Sequence, residues 1–170
     1  GFSAVYRGEH LAMQRTVAIK LLDVRARGAG EDASTTHRFS REAKVISQLE
    51  SGSTITVYDY GVEGELCYLI MEFVDGHSLK ELLAQLPVID AHRAVRIAIQ
   101  ILESLDEAHH YNILHRDLKP ANVMLNAAGA VKITDFGITS QLLNTAGYAS
   151  TFVGTTIYMA PERLQGDRYS

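Results

Sequence analysis

The chain has 170 residues, 46% of them hydrophobic and 21% charged, with a formal net charge of −4 at pH 7. This composition fits an ordinary globular chain long enough to bury one core or two small ones, and it lacks the basic footprint of a nucleic-acid binder. Cys67 is the single cysteine, which rules out an intrachain disulfide and predicts a reducing, cytoplasmic setting; no apolar run reaches the ~18–20 residues that span a bilayer, so no membrane contact is expected within this segment.

In chain order, Val17-Ala18-Ile19-Lys20-Leu21-Leu22 is β-branched and apolar and predicts a buried strand. Asp23 to Thr36 contains Gly28, Gly30 and small or charged residues, and reads as a loop. From Arg38 a helical period places Phe39, Ala43, Ile46 and Leu49 on one face, until Ser51-Gly52-Ser53 ends it. Ile55 to Tyr60 and Leu66 to Phe73 are strand-like runs joined as a hairpin. Beyond Asp75-Gly76 the character changes. Ser78 to Leu86 predicts a short helix, and Asp90 caps a long one carrying Val95, Ala98, Ile101, Leu102, Leu105 and Ala108. Strands first and helices after, with a hinge near residue 74, predict an α+β fold of two lobes, residues 1–73 and 74–170.

Two runs carry chemistry. One is His115-Arg116-Asp117-Leu118-Lys119-Pro120-Ala121-Asn122; the other is Asp135-Phe136-Gly137, whose Asp lies eighteen residues beyond Asp117. Transfer of a γ-phosphoryl group demands positioning and charge neutralisation more than covalent chemistry. Asn122 and Asp135 offer the hard oxygen ligands that Mg²⁺ prefers, leaving Asp117 to face an incoming hydroxyl. Any one of these acids alone is better read as a surface turn residue; both runs in order and at this spacing are specific. In Val17-Ala18-Ile19-Lys20 followed by Glu42, a strand lysine can be held by a helix carboxylate against phosphate oxygens. Alone, Lys20 would be a snorkelling edge residue and Glu42 a helix-surface acid.

These residues resemble the eukaryotic-type protein kinases, most closely the bacterial Ser/Thr members, along the whole chain. The resemblance implies ATP and Mg²⁺ as cofactors and transfer of the γ-phosphate to Ser/Thr hydroxyls of proteins. By the same resemblance Lys20 contacts the α/β-phosphates and pairs with Glu42, Asp117 is the base, Lys119 steadies the transferring charge, and Asn122 and Asp135 hold the metal. Met71 guards the back of the nucleotide pocket, and Glu72-Phe73-Val74 is the adenine-binding hinge. Val5, Ala18 and Met124 sandwich the purine, as residues buried under either reading. His115 and Phe136 stack in a column with Ile46 and Val57. Gly1-Phe2-Ser3-Ala4-Val5 matches the end of the phosphate-covering loop, with Ser3 where the third glycine stands.

Lys119 and Gly154-Thr155-Thr156-Ile157-Tyr158-Met159-Ala160-Pro161-Glu162 are of the Ser/Thr form, and imply that Thr155 bridges Asp117 and Lys119. Arg116 beside the catalytic Asp points to control by phosphorylation, with Thr151 as the activating site, Ser150 and Thr145 secondary, and dimerisation as the route to autophosphorylation in trans. Ser51-Gly52-Ser53 replaces the family's His-Pro-Asn and predicts a looser turn. The chain starts within the Gly-rich loop and stops soon after Ala160-Pro161-Glu162, so the isolated 170 residues are expected to fold poorly and be inactive. A pseudokinase scaffold is the alternative, although it would need a lesion at Lys20, Asp117, Asn122 or Asp135. Small-molecule kinases share the Asp and Asn logic but lack Lys-Pro after the base and the Ala-Pro-Glu segment.

Overall fold

The computed structural model describes residues 3–23, 32–64, 66–86, 88–136, 156–159 and 161. β1 (Ser3–His10) and β2 (Arg15–Asp23) form an antiparallel pair in which Val5 faces Lys20. α1 (Asp32–Ile46) follows, then the hairpin of β3 (Val57–Glu63) and β4 (Leu66–Glu72). β4 inserts beside β2, giving the order β1-β2-β4-β3. Alternation along β4 turns Cys67, Leu69 and Met71 inward, where α1 covers them with Phe39, Ala43 and Ile46. Burying Phe39 completely contributes about 1.5–3 kcal/mol.

The predicted loop gives way to helix at Asp32, six residues before the expected start. Asp32, Ser34, Thr35 and Thr36 are weak helix formers and mask the period, but packing of the apolar face that follows carries the helix back through them.

Beyond β4, β5 (Gly76–Ser78), β6 (Val123–Asn126) and β7 (Val131–Ile133) make a small antiparallel sheet. α2 (Leu79–Gln85) begins in a capping box: Ser78 Oγ accepts from the Glu81 N–H, and Glu81 accepts from the Ser78 N–H. That hydrogen bond holds the Glu81 carboxyl below its usual range. Asp90 caps α3 (Ala91–His110) as predicted, accepting from His92 and Arg93.

The predicted stripe on α3 holds in part: Ala108 is buried and Ile101 and Leu105 pack against the core, whereas Ile97 and Ser104 were not expected there. Ile97, Ser104 and Ala108 are buried, while Val95, Ala98 and Leu102 lie exposed. This face meets β7, and the small Ser104 lets its hydroxyl reach that of Thr54 at 2.6 Å. Nor is the turn at Ser51-Gly52-Ser53 loose. Glu107 accepts from the Glu50 and Ser51 N–H groups, Ile55 donates to Ile133, and Ile133 donates to Ser53. Partners on other elements supply the rigidity that a proline would have given. Among the described residues no helix is long and apolar enough to cross a membrane.

Candidate active site

His115 anchors the loop that carries Asp117. Its Nε2–H donates to the Thr134 carbonyl at 2.9 Å, while Nδ1 accepts from the Asp117 N–H at 3.3 Å. Both ring nitrogens are thus used by the neutral form, and burial pushes the imidazole pKa down. The ring leans on Phe136, centroids 4.7 Å apart, and Phe136, Ile46 and Val57 line one cavity.

Asp117 is gripped by two side chains. Lys119 Nζ lies 2.6 Å from Oδ2, and Asn122 Nδ2 donates to the Asp117 carbonyl at 2.8 Å and to Oδ2 at 3.3 Å. Pro120–Asn122 forms a single 3₁₀ turn, which brings Asn122 back over the residue it bonds. Both grips fall on Oδ2 and the main chain, so Oδ1 is the oxygen they do not engage.

Lys20, only 5% exposed, reaches Asp135 Oδ1 at 2.6 Å. A buried ammonium needs such a partner, since an uncompensated charge there costs several kcal/mol. Glu42 stands on α1 with its Oε2 buried. Ile46, Lys20, Met71 and Asp135 border a void of about 10 Å³, at the limit for one water. Arg116 and Asp135 both hold left-handed backbone, with φ of 64° and 62°. For non-glycine residues this costs roughly 1–3 kcal/mol, and it turns both side chains away from the directions their neighbours take.

Met71, expected at the back of the nucleotide pocket, is buried, and Glu72 and Val74, expected in the hinge, are half-buried. Glu72 has a side-chain task that the sequence did not suggest: Oε2 pairs with Lys132 Nζ at 2.8 Å, and Lys132 also donates to the Thr54 carbonyl. Ala18 and Met124 are half-buried, but Val5 is 58% exposed, contrary to the expectation of a buried residue. The reason is its place on β1, an edge strand with nothing among the described residues packed over the face Val5 presents. Arg7, two residues on, stacks over the Phe73 ring at 5.0 Å.

The expectations for the activation segment fall on Thr145, Ser150, Thr151, Thr155 and Glu162, which lie outside the described residues, as do Gly1 and Phe2. Sequence reasoning missed Glu107, Lys132 and the Lys20–Asp135 contact. Spacing identifies residues of one element, whereas the Glu107 and Lys20 pairings join residues 56 and 115 positions apart.

The profile of the protein kinase domain family matches residues 1–170. The serine/threonine-protein kinase PrkC of Bacillus subtilis is 34% identical over 167 residues, covering 98% of this chain and 25% of its own. PknL of Mycobacterium bovis, also named a serine/threonine-protein kinase, is 36% identical, covering 97% and 41%. Rad53 residues 1–466, crystallised with AMP-PNP, superposes with a TM-score of 0.78 at 28% identity, covering 97% of this chain and 39% of that one. The chain therefore spans between a quarter and about two-fifths of these relatives' lengths.

Proposed function

This chain belongs to the protein kinase domain family, and from that premise we propose that it transfers the γ-phosphate of ATP to Ser or Thr hydroxyls of protein substrates. The observation that carries the reading is the grip on Asp117. Lys119 and Asn122 hold Oδ2, so Oδ1 is the oxygen presented to an acceptor. The acceptor O–H gives its proton to Asp117 as its oxygen bonds to the γ-phosphorus, and the bond from phosphorus to the ADP oxygen breaks. Lys119, beside that carboxylate, offsets charge on the transferring group.

The donor set fits Mg²⁺. Asn122 uses its Nδ2 on Asp117 and keeps its carbonyl oxygen, and Asp135 keeps a second carboxylate oxygen beyond the one on Lys20. These are hard ligands, and the ion characteristically takes one or two such groups together with substrate phosphates. When bound it neutralises phosphate charge. Lys20 is assigned to the α/β-phosphates, with Glu42 as its helix partner in the same reading. Met71, the backbone of Glu72 and Val74, and the side chains of Val5, Ala18 and Met124 are assigned to the adenine.

Residues 1–73 and 74–170 act as the two lobes in this reading. Control by a phosphate on Thr151, paired with Arg116 and delivered in trans by a second copy, belongs to the same proposal. Radiolabelled ATP offered to the full-length protein with protein substrates and with small alcohols tests it. Labelled Ser or Thr, lost in Asp117→Asn, is expected; labelled alcohols, or nucleotide binding without transfer, would overturn it. Mass spectrometry of the active protein should find phosphate on Thr151, and an unmodified Thr151 with a fully active Thr151→Ala variant would remove that part.

A further inference from the structure

Three polar side chains of α3 that phosphate chemistry does not use point the same way. Gln100 accepts from the Val131 N–H at 2.9 Å and donates to the Gly129 carbonyl at 3.3 Å. The Ser104 and Thr54 hydroxyls meet at 2.6 Å, both buried. Glu107 takes the Glu50 N–H on Oε1 at 2.7 Å and the Ser51 N–H on Oε2 at 2.9 Å. Spacings of four and three residues place all of them on one helical face. The Gln100 end secures β7, whose last residue stands two before Asp135; the Glu107 end secures the turn that closes α1.

We infer that Glu107 is a positioning residue for phosphate transfer, holding the chain that follows α1 so that Ile46 keeps its place bordering Lys20 and Asp135, and Glu42, assigned to Lys20 in the kinase reading, keeps its own. A carboxylate suits the task because two successive amides present parallel donors, and charge-assisted bonds are the stronger kind. The turn beyond it is closed by its own bonds, Thr54 N–H to the Ser51 carbonyl and Ser53 N–H to Ser51 Oγ, so a displacement would move it as a unit. Ile46, the last residue of α1, lies four residues before Glu50 and borders the cavity shared by Lys20 and Asp135, and Glu42 lies one helical turn before Ile46. The inference rests on the kinase reading, and deepens it by adding a residue that touches no substrate.

Glu107→Ala and Glu107→Gln in the full-length protein test it. Hydrogen exchange across residues 47–54 should quicken in Glu107→Ala while residues 91–103 stay protected. The kcat should fall about tenfold, with the Kd for a fluorescent ATP analogue within about twofold of wild type. That loss should vanish in a Glu42→Gln background, because both changes act on one device. Glu107→Gln, which keeps one acceptor oxygen, should fall between, and it is read the same way if the alanine variant does not fold. Unchanged exchange at 47–54, or a kinetic loss that multiplies in full with Glu42→Gln, would overturn the inference. A wild-type protein that transfers no phosphate sinks the kinase reading instead, and the exchange data still decide whether Glu107 holds the turn.

Discussion

His115 and Thr134 are joined at 2.9 Å, ring N–H to carbonyl, which ties the loop bearing Asp117 to the residue before Asp135, just beyond the end of β7. The bond between them depends on charge state only indirectly, but the Asp117 N–H bond to Nδ1 depends on it outright: a proton on Nδ1 removes the acceptor.

The pH consequence follows from burial, which lowers the His115 pKa in the folded protein. In the window between that lowered value and about pH 6.5, the unfolded chain binds the proton and the folded one does not. Stability therefore rises with pH there: the contribution is fully present above about pH 6.5 and is lost as pH falls through the window. Urea melts of wild type and His115→Phe at a series of pH values should show this slope in wild type and a smaller slope in the variant. Equal slopes would mean that another group carries the acid sensitivity.

Asp117→Asn keeps the shape of the loop, since Lys119 and Asn122 can still address a side-chain oxygen, but removes the proton acceptor. The expected result is a kcat lower by about 10²–10⁴ with little change in nucleotide affinity. Single-turnover kinetics beside an equilibrium binding titration would separate the two, and a variant as fast as wild type would leave Asp117 without its assigned role.

Lys20→Met replaces a buried ammonium with an apolar chain of similar length. Charge at the phosphates is what disappears, so kcat/KM should drop by about 10²–10³, the scale for losing one preorganised donor. Circular dichroism and a thermal melt show whether the fold survives; a folded Lys20→Met protein with undiminished kcat/KM would contradict the placement of Lys20 on the phosphates.

Much of this site was legible because its chemistry is carried by short local runs. His115 to Asn122 and Asp135 to Gly137 stand as two short runs at a fixed spacing, and Asp90 marks the start of its helix by capping alone. The unread part is made of pairings across the chain. Glu107 looks like any surface acid of an amphipathic helix until the turn after α1 is laid against it, and Lys132 like any exposed strand lysine until Glu72 is beside it. Burial of Val5 was misjudged for a related reason: apolar character says that a residue can be covered, while the edge position of β1 decides how little covers it.

Gly76 illustrates a constraint set by backbone approach. A Cβ at this position would sit 1.9 Å from the Leu125 carbonyl oxygen and 2.8 Å from the Asn126 Cα, both fixed parts of β6. No rotamer change relieves such a contact, so β5 would have to separate from β6. Gly76→Ala should therefore destabilise by about 1–3 kcal/mol or more, on the scale of overpacking. Because β5 leads from the hinge into the Ser78 cap of α2, nucleotide affinity should weaken as well. Gly52→Ala is the matched control: among the described residues nothing lies within 4 Å of its added Cβ, so its midpoint should hold or rise by the ~0.4–1 kcal/mol that a less flexible unfolded chain provides. Paired denaturant titrations decide the point, and equal midpoints for the two variants would show that β5 and β6 are not held as closely as their backbones indicate.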